Sequence, residues 1–122
     1  MTEKPKILIV DDENVIRLLL RRILGVEGYS ITEAANGEEA LREARREIPA
    51  LVVLDVSMPG MSGFQACKRI HEFSDVPIIL LSGLDTDEEK ALAINAGANE
   101  FITKPFFPKE FVARVNDILK DS

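Results

Sequence analysis

Five times along the chain a short apolar run is followed by a longer stretch with apolar residues at helical spacing. The runs cover residues 6–10, 30–34, 51–54, 77–81 and 101–103. Ile7-Leu8-Ile9-Val10, Leu51-Val52-Val53-Leu54 and Val76-Pro77-Ile78-Ile79-Leu80-Leu81 are continuously apolar, the pattern of strands covered on both faces by helices. The second run, Tyr29-Ser30-Ile31-Thr32-Glu33-Ala34, mixes polar and apolar positions and predicts an edge strand. Between the runs, Ile16, Leu19, Leu20, Ile23 and Leu24 predict one helical stripe, and Ala40, Leu41, Ala44 and Ile48 a second. Phe64, Cys67 and Ile70 make a third. Thr86 with Glu89 three positions on has the spacing of a capping box opening a fourth helix, which Gly97 closes. Pro108 suits the first turn of a fifth helix, which buries Phe111, Val112, Val115, Ile118 and Leu119, and Gly28, Gly37 and Gly63 punctuate the junctions.

A strand–helix unit repeated five times predicts an α/β fold with a parallel sheet, since right-handed crossovers place helices on both faces. The 122 residues suit one domain, 1–122, and show no linker or low-complexity segment. With 46% of residues apolar, the chain can bury a core without a disulfide or a metal staple. The net charge of −6 and the lack of a basic run disfavour direct binding to nucleic acid or an anionic membrane. No apolar run reaches the ~20 residues of a membrane helix, and residues 1–5 are too short and polar for a signal peptide, so a cytoplasmic protein is expected. Cys67 is the single cysteine and His71 the single histidine, which leaves hydrolase triads without a placed base and rules out a cysteine-based zinc site.

For five strands the expected order is 2-1-3-4-5, a doubly wound sheet whose ligand site lies beyond the carboxyl ends of strands 1 and 3. Asp11 and Asp12 follow strand 1, Asp55 follows strand 3, Ser82 follows strand 4 and Lys104 follows strand 5. Any one of the acids could be an ordinary helix cap. Together, three carboxylates on one rim repel one another and call for a cation. Oxygen donors without histidine or thiolate favour Mg²⁺, whose remaining positions can receive phosphate oxygens. A carboxylate can itself attack phosphorus to give an aspartyl phosphate, with Lys104 and the Ser82 hydroxyl stabilising the equatorial oxygens.

The segments Ile7-Leu8-Ile9-Val10-Asp11-Asp12-Glu13, Val53-Leu54-Asp55-Val56-Ser57-Met58-Pro59-Gly60-Met61-Ser62-Gly63, Leu80-Leu81-Ser82-Gly83 and Phe101-Ile102-Thr103-Lys104-Pro105-Phe106 resemble the receiver domain of two-component response regulators, and are similar to the single-domain chemotaxis type. The resemblance covers the whole chain and implies a flavodoxin-like fold. It implies that Asp55 accepts a phosphoryl group from a sensor histidine kinase, a histidine phosphotransfer protein or a small phosphodonor. It further implies that Asp11, Asp12, Asp55 and the backbone carbonyl of Ser57 hold Mg²⁺, for which Mn²⁺ can substitute, and that Ser82 and Lys104 bind the phosphoryl oxygens. On this reading the protein is a phosphorelay signalling switch rather than an enzyme, with intrinsic Mg²⁺-dependent autophosphorylation and autodephosphorylation at Asp55. Ser82 and Phe101 are its switch residues. The surface of the fourth helix, fifth strand and fifth helix would control a downstream protein target or fused output domain, or support a phosphorylation-dependent dimer. A cis peptide at Lys104–Pro105 is implied as well.

Three positions depart from the commonest family pattern. Ser82 replaces threonine and loses the stiffening effect of β-branching, Phe101 replaces tyrosine, and Leu84, flanking the phosphate mouth with Ser57, cannot orient a water. Simpler roles are expected elsewhere: Cys67 as a packed core thiol, His71 as a solvated residue near a helix end, and Arg17, Arg21, Arg22, Arg42, Arg45 and Arg46 as a partly salt-bridged surface. Glu13 suits either a first-turn helix acid or a neighbour of the metal. A haloacid-dehalogenase-type phosphohydrolase would need a second aspartate where Ser57 stands, and a flavin or dinucleotide binder a phosphate-cradling loop where Asp11-Asp12-Glu13-Asn14 stands. A pseudo-receiver would lack part of the five-residue site, all of which is present.

Overall fold

The computed structural model describes residues 4–120, so most of the N-terminal segment read above against a signal peptide lies outside the described residues. Five parallel strands, β1 (Lys6–Val10), β2 (Ser30–Ala34), β3 (Leu51–Asp55), β4 (Ile78–Ser82) and β5 (Glu100–Thr103), form one sheet in the order β2-β1-β3-β4-β5. The helices are α1 (Asn14–Val26), α2 (Gly37–Arg46), α3 (Gly63–Ile70), α4 (Asp87–Ala96) and α5 (Pro108–Lys120). The doubly wound order is the one expected, and β2 is an edge.

Alternation along each strand divides the core in two. Ile7, Ile9, Leu51, Val53, Ile79 and Leu81 face Leu20 and Leu24 of α1 and Phe111 and Val115 of α5. Leu8, Val10, Val52, Leu54, Ile78 and Leu80 face α2, α3 and α4. Every residue of β3 and β4 is buried, as continuous apolar runs covered on both faces require. On this second face α4 contributes only two buried side chains, Ala93 and Ala96, while Leu92 and Ile94 stay exposed.

Four local readings are corrected. β4 begins at Ile78 rather than Pro77, because proline has no N–H for the ladder, although the Pro77 carbonyl accepts from Val52 at 3.0 Å. Ser82 therefore closes the strand, paired with Thr103. Leu19 is 45% exposed, since it lies ~100° round the helix from buried Leu20. Ile48 falls beyond the end of α2 and is 59% exposed; it precedes Pro49, a position that disfavours helical backbone. His71 is not solvated but half-buried, with Nε2 3.0 Å from the Val76 carbonyl and its ring against Gly97.

Gly97 ends α4 at φ +90°, in the left-handed region open to glycine. Thr86 caps α4 by accepting from Glu89 N at 3.1 Å, but the Glu89 carboxylate does not complete the box. The complete capping box opens α3, where Ser62 Oγ accepts from Gln65 N and Gln65 Oε1 accepts from Ser62 N.

Candidate functional site

The sheet register builds the site. Val10 pairs with Leu54 and Asp55 with Leu81, so the ends of β1, β3 and β4 lie level and Asp11, Asp55 and Ser82 emerge on one rim. Lys104 follows β5 directly, held by a 2.7 Å bond from its backbone N–H to the Ser82 carbonyl and followed by a cis bond to Pro105. All five strand-end residues expected on the rim are there.

Asp11, Asp12 and Asp55 each bring a carboxylate oxygen within 4.8 Å of the others. Asp11 is 1% exposed and Asp55 4%, whereas Asp12 is exposed and offers an entrance. Asp11 Oδ1 accepts from the Glu13 backbone N–H at 2.9 Å, while buried Asp11 Oδ2 has no hydrogen-bond partner among the described residues and lies 3.9 Å from Lys104 Nζ. Burial pushes the Asp11 carboxyl from its ordinary 3.8 up to about 6; the Glu13 amide and Lys104 oppose this, and the charges of Asp55 and Asp12 add to it. A buried, orphaned carboxylate oxygen in an all-oxygen donor set is what a hard divalent cation would satisfy, so the residues fit Mg²⁺.

Lys104 Nζ donates to Asp55 Oδ1 at 2.8 Å. Burial works to lower the ammonium's pKa, but the hydrogen bond and charge of Asp55, with Asp11 and Glu13, outweigh it and hold the group above its ordinary value. The lysine thus stays charged beside the carboxylate.

Ser82 is buried, accepts from Leu84 N at 3.0 Å, and has Glu89 Oε1 at 2.9 Å and the Leu84 carbonyl at 3.2 Å as acceptors for its proton. Ser57 is exposed in the loop after β3, and Leu84 is 59% exposed. Phe101 is half-buried against the core shared by α2, α3 and α4, and lines a cavity of about 370 Å³ with Lys90, Phe106 and Arg114.

Two contributors escaped the sequence reading. Arg17 makes the kind of surface salt bridge expected of it, its Nε donating to Glu33 at 3.2 Å, but it is half-buried and its Nη1 also donates to the Asp11 carbonyl at 2.5 Å, fastening α1 to the ends of β1 and β2. Its position on the turn after Asp12 was the available signal. Gly63 approaches so closely that a Cβ there would lie 2.3 Å from the Asp55 carbonyl oxygen, and its N–H donates to Val56 O at 2.8 Å. Cys67, by contrast, is the packed core thiol expected, with Sγ 3.3 Å from the Ala96 carbonyl and burial pushing its pKa to about 11.

The same fold occurs in known proteins. Over 119 residues the chain is 46% identical to the transcriptional regulatory protein YvrH of Bacillus subtilis, an alignment covering 97% of this chain and 50% of that protein. The chain therefore spans about half the length of the curated relatives it matches. Among solved structures, a CheY-like response regulator receiver domain protein from Methanospirillum hungatei superimposes with a TM-score of 0.93 at 29% identity, covering 98% of this chain and 96% of that one. The beryllofluoride-activated receiver domain of DrrB, a Thermotoga maritima protein, gives 0.90 at 34% identity, covering 97% and 99%. Residues 7–116, nearly the whole described fold and every strand end of the rim, match the response regulator receiver domain. The chain belongs to that family, whose members act as signalling switches between histidine kinases and output targets.

Proposed function

We propose that this receiver domain works by phosphorylation of Asp55, with Mg²⁺ held by Asp11, Asp12, Asp55 and the Ser57 carbonyl. The observation that supports the reading is the ion pair of Lys104 with Asp55 at 2.8 Å beside the Asp11 oxygen that lacks a hydrogen-bond partner, a fixed cation and an unsatisfied acceptor on two neighbouring buried carboxylates. In the reaction an Asp55 oxygen forms a bond to phosphorus while the bond from phosphorus to the donor's imidazole nitrogen breaks, and the leaving imidazole takes up a proton. With an acyl phosphate donor the breaking bond is P–O and a carboxylate leaves. Lys104 pairs with the incoming oxygens, and the Ser82 hydroxyl donates to one of them. Bound Mg²⁺ would supply charge neutralisation between the carboxylates and the phosphoryl group.

The donors and the output follow from the same reading. A histidine kinase or histidine phosphotransfer protein supplies the phosphoryl group, and the altered α4-β5-α5 face controls a partner, a fused output domain or a dimer. YvrH is named a transcriptional regulatory protein, but the matched region is half of it. Nucleic-acid contact is accordingly assigned to any attached output domain and not to these acidic 122 residues. Among the described residues no helix is long and apolar enough to cross a membrane, and a cytoplasmic location is part of the same proposal.

Acetyl phosphate with Mg²⁺ should add one phosphoryl group, read by intact-mass spectrometry and removed by hydroxylamine. Asp55→Asn should abolish it. Stoichiometric, hydroxylamine-labile phosphate on the Asp55→Asn protein would overturn the assignment.

A further inference from the structure

We propose that Glu89 is a positioning residue that holds the Ser82 hydroxyl in its resting orientation and so sets the threshold for the phosphoryl-driven change; this rests on the Asp55 reading above. Ser82 Oγ lies 2.9 Å from Glu89 Oε1, and its acceptor side is taken by the Leu84 N–H. A hydroxyl has one proton, so Ser82 cannot donate to a phosphoryl oxygen on Asp55 while it donates to Glu89. The two anions are rivals for one donor, with the neutral Leu84 carbonyl at 3.2 Å a longer and weaker third acceptor. A hydrogen bond to a carboxylate is roughly twice as strong as one between neutral groups, so Glu89 is a serious competitor. Serine lacks the methyl that would stiffen χ1 in threonine, which leaves the hydroxyl free to change partners by rotation.

Glu89 also occupies the third position of α4, where a glutamate ordinarily turns back to the N–H of the capping residue. Its own backbone N–H donates to Thr86 Oγ1 as expected, yet its carboxylate points to Ser82, unlike Gln65 at the equivalent place in α3. Release of Ser82 therefore gives the carboxylate a local alternative in completing the α4 cap. The residue is half-buried and lines a cavity of about 470 Å³ with Ser57, Gly83 and Leu84, which gives it room to swing. Since α4 is seated by Ala93 and Ala96 alone, a changed cap can be passed on as a shift of the helix. The trade of partners thus connects the phosphoryl group to the α4 end of the switching surface.

The test is a double-mutant cycle on the 122-residue protein, using beryllofluoride with Mg²⁺ as the phosphoryl mimic and amide NMR as the readout. Glu89→Ala should tighten beryllofluoride binding about tenfold, the low end of the net worth of a hydrogen bond to a charged group. It should also move free-state resonances of α4 and β5 part of the way toward their positions in the beryllofluoride-bound wild type. Glu89→Gln, which keeps the shape of the first turn and a neutral acceptor, should give a smaller gain. In a Ser82→Ala background neither change should alter affinity, a result that a general loosening of α4 would not produce. Equal affinity in wild type and both Glu89 variants, or the same gain with and without the Ser82 hydroxyl, overturns the proposal while leaving the Asp55 reading intact. If wild type itself fails to bind beryllofluoride at Asp55, both readings fall together.

Discussion

At the residue scale, Asp11 carries the tension in the site. Its folded-state pKa, about 6, lies above the ordinary 3.8, so the folded protein holds this proton more tightly than the unfolded chain does. Stability contributed by Asp11 is complete below about pH 4, falls as the pH rises to about 6, and is level beyond; the gap corresponds to at most about 3 kcal/mol. Asp11→Asn removes the charge and keeps the shape. In chelator, the variant should therefore match wild type near pH 4 and exceed it in stability above pH 6, as measured by urea denaturation across that range. A constant difference at all pH values would exclude burial of this carboxylate as the cause. Cys67 illustrates the opposite kind of residue. With its pKa near 11 and its side chain fully buried, it should resist a disulfide reagent at pH 8 in the native protein and react fully once the chain is unfolded in denaturant.

At the element scale, the start of α3 is pressed against the backbone that follows β3, whereas α4 seats only small side chains. Gly63 lies against the backbone of Asp55 and Val56, where a Cβ would meet atoms at 2.3 and 2.8 Å. Because those atoms are backbone, they cannot swing aside. Gly63→Ala should cost about 3 kcal/mol in urea denaturation and perturb the amides of residues 55–57 more than any others. Ser62→Ala, one step earlier, should cost only about 1 kcal/mol, because it removes a cap without forcing the loop to move. The other four helices seat larger side chains such as Leu20, Leu41, Ile70 and Phe111 in the core, while α4 offers two alanines. Its small buried contact suits an element that has to shift at low cost.

At the scale of the whole molecule, cation binding and folding are linked. A cation that binds the native acidic cluster stabilises it by mass action, about 1.4 kcal/mol at ten times its Kd and about 5 °C in Tm for a domain of this size. Calorimetry should show that rise for wild type in Mg²⁺ and its loss in Asp12→Ala, which removes the exposed member of the cluster. Addition of beryllofluoride should then change amide resonances beyond the rim, across β5 and α5, where Phe101 and the cavity beside Lys90 and Arg114 lie. Changes confined to the neighbours of Asp55 would show that the phosphoryl site and that surface are not coupled.

The sequence by itself determined the number, type and order of elements, because burial on both faces leaves continuous apolar runs and a sheet-packing helix leaves a 3.6-residue stripe. It also placed Asp11, Asp12, Asp55, Ser82 and Lys104 at strand ends, since a residue directly after a buried strand has only the rim to occupy. The tertiary structure decided what has no periodic signature. Leu19 and Ile48 lie outside the core because angular position on α1 and the helix-ending Pro49, not hydrophobicity, settle their exposure. Arg17 reaches the Asp11 carbonyl through a long side chain that pattern cannot aim. Thr86 and Glu89 have the spacing of a capping box, but Ser82, held at the end of β4 by its ladder with Thr103, takes the glutamate away. A local motif specifies which partners are within reach, and packing between distant segments selects among them.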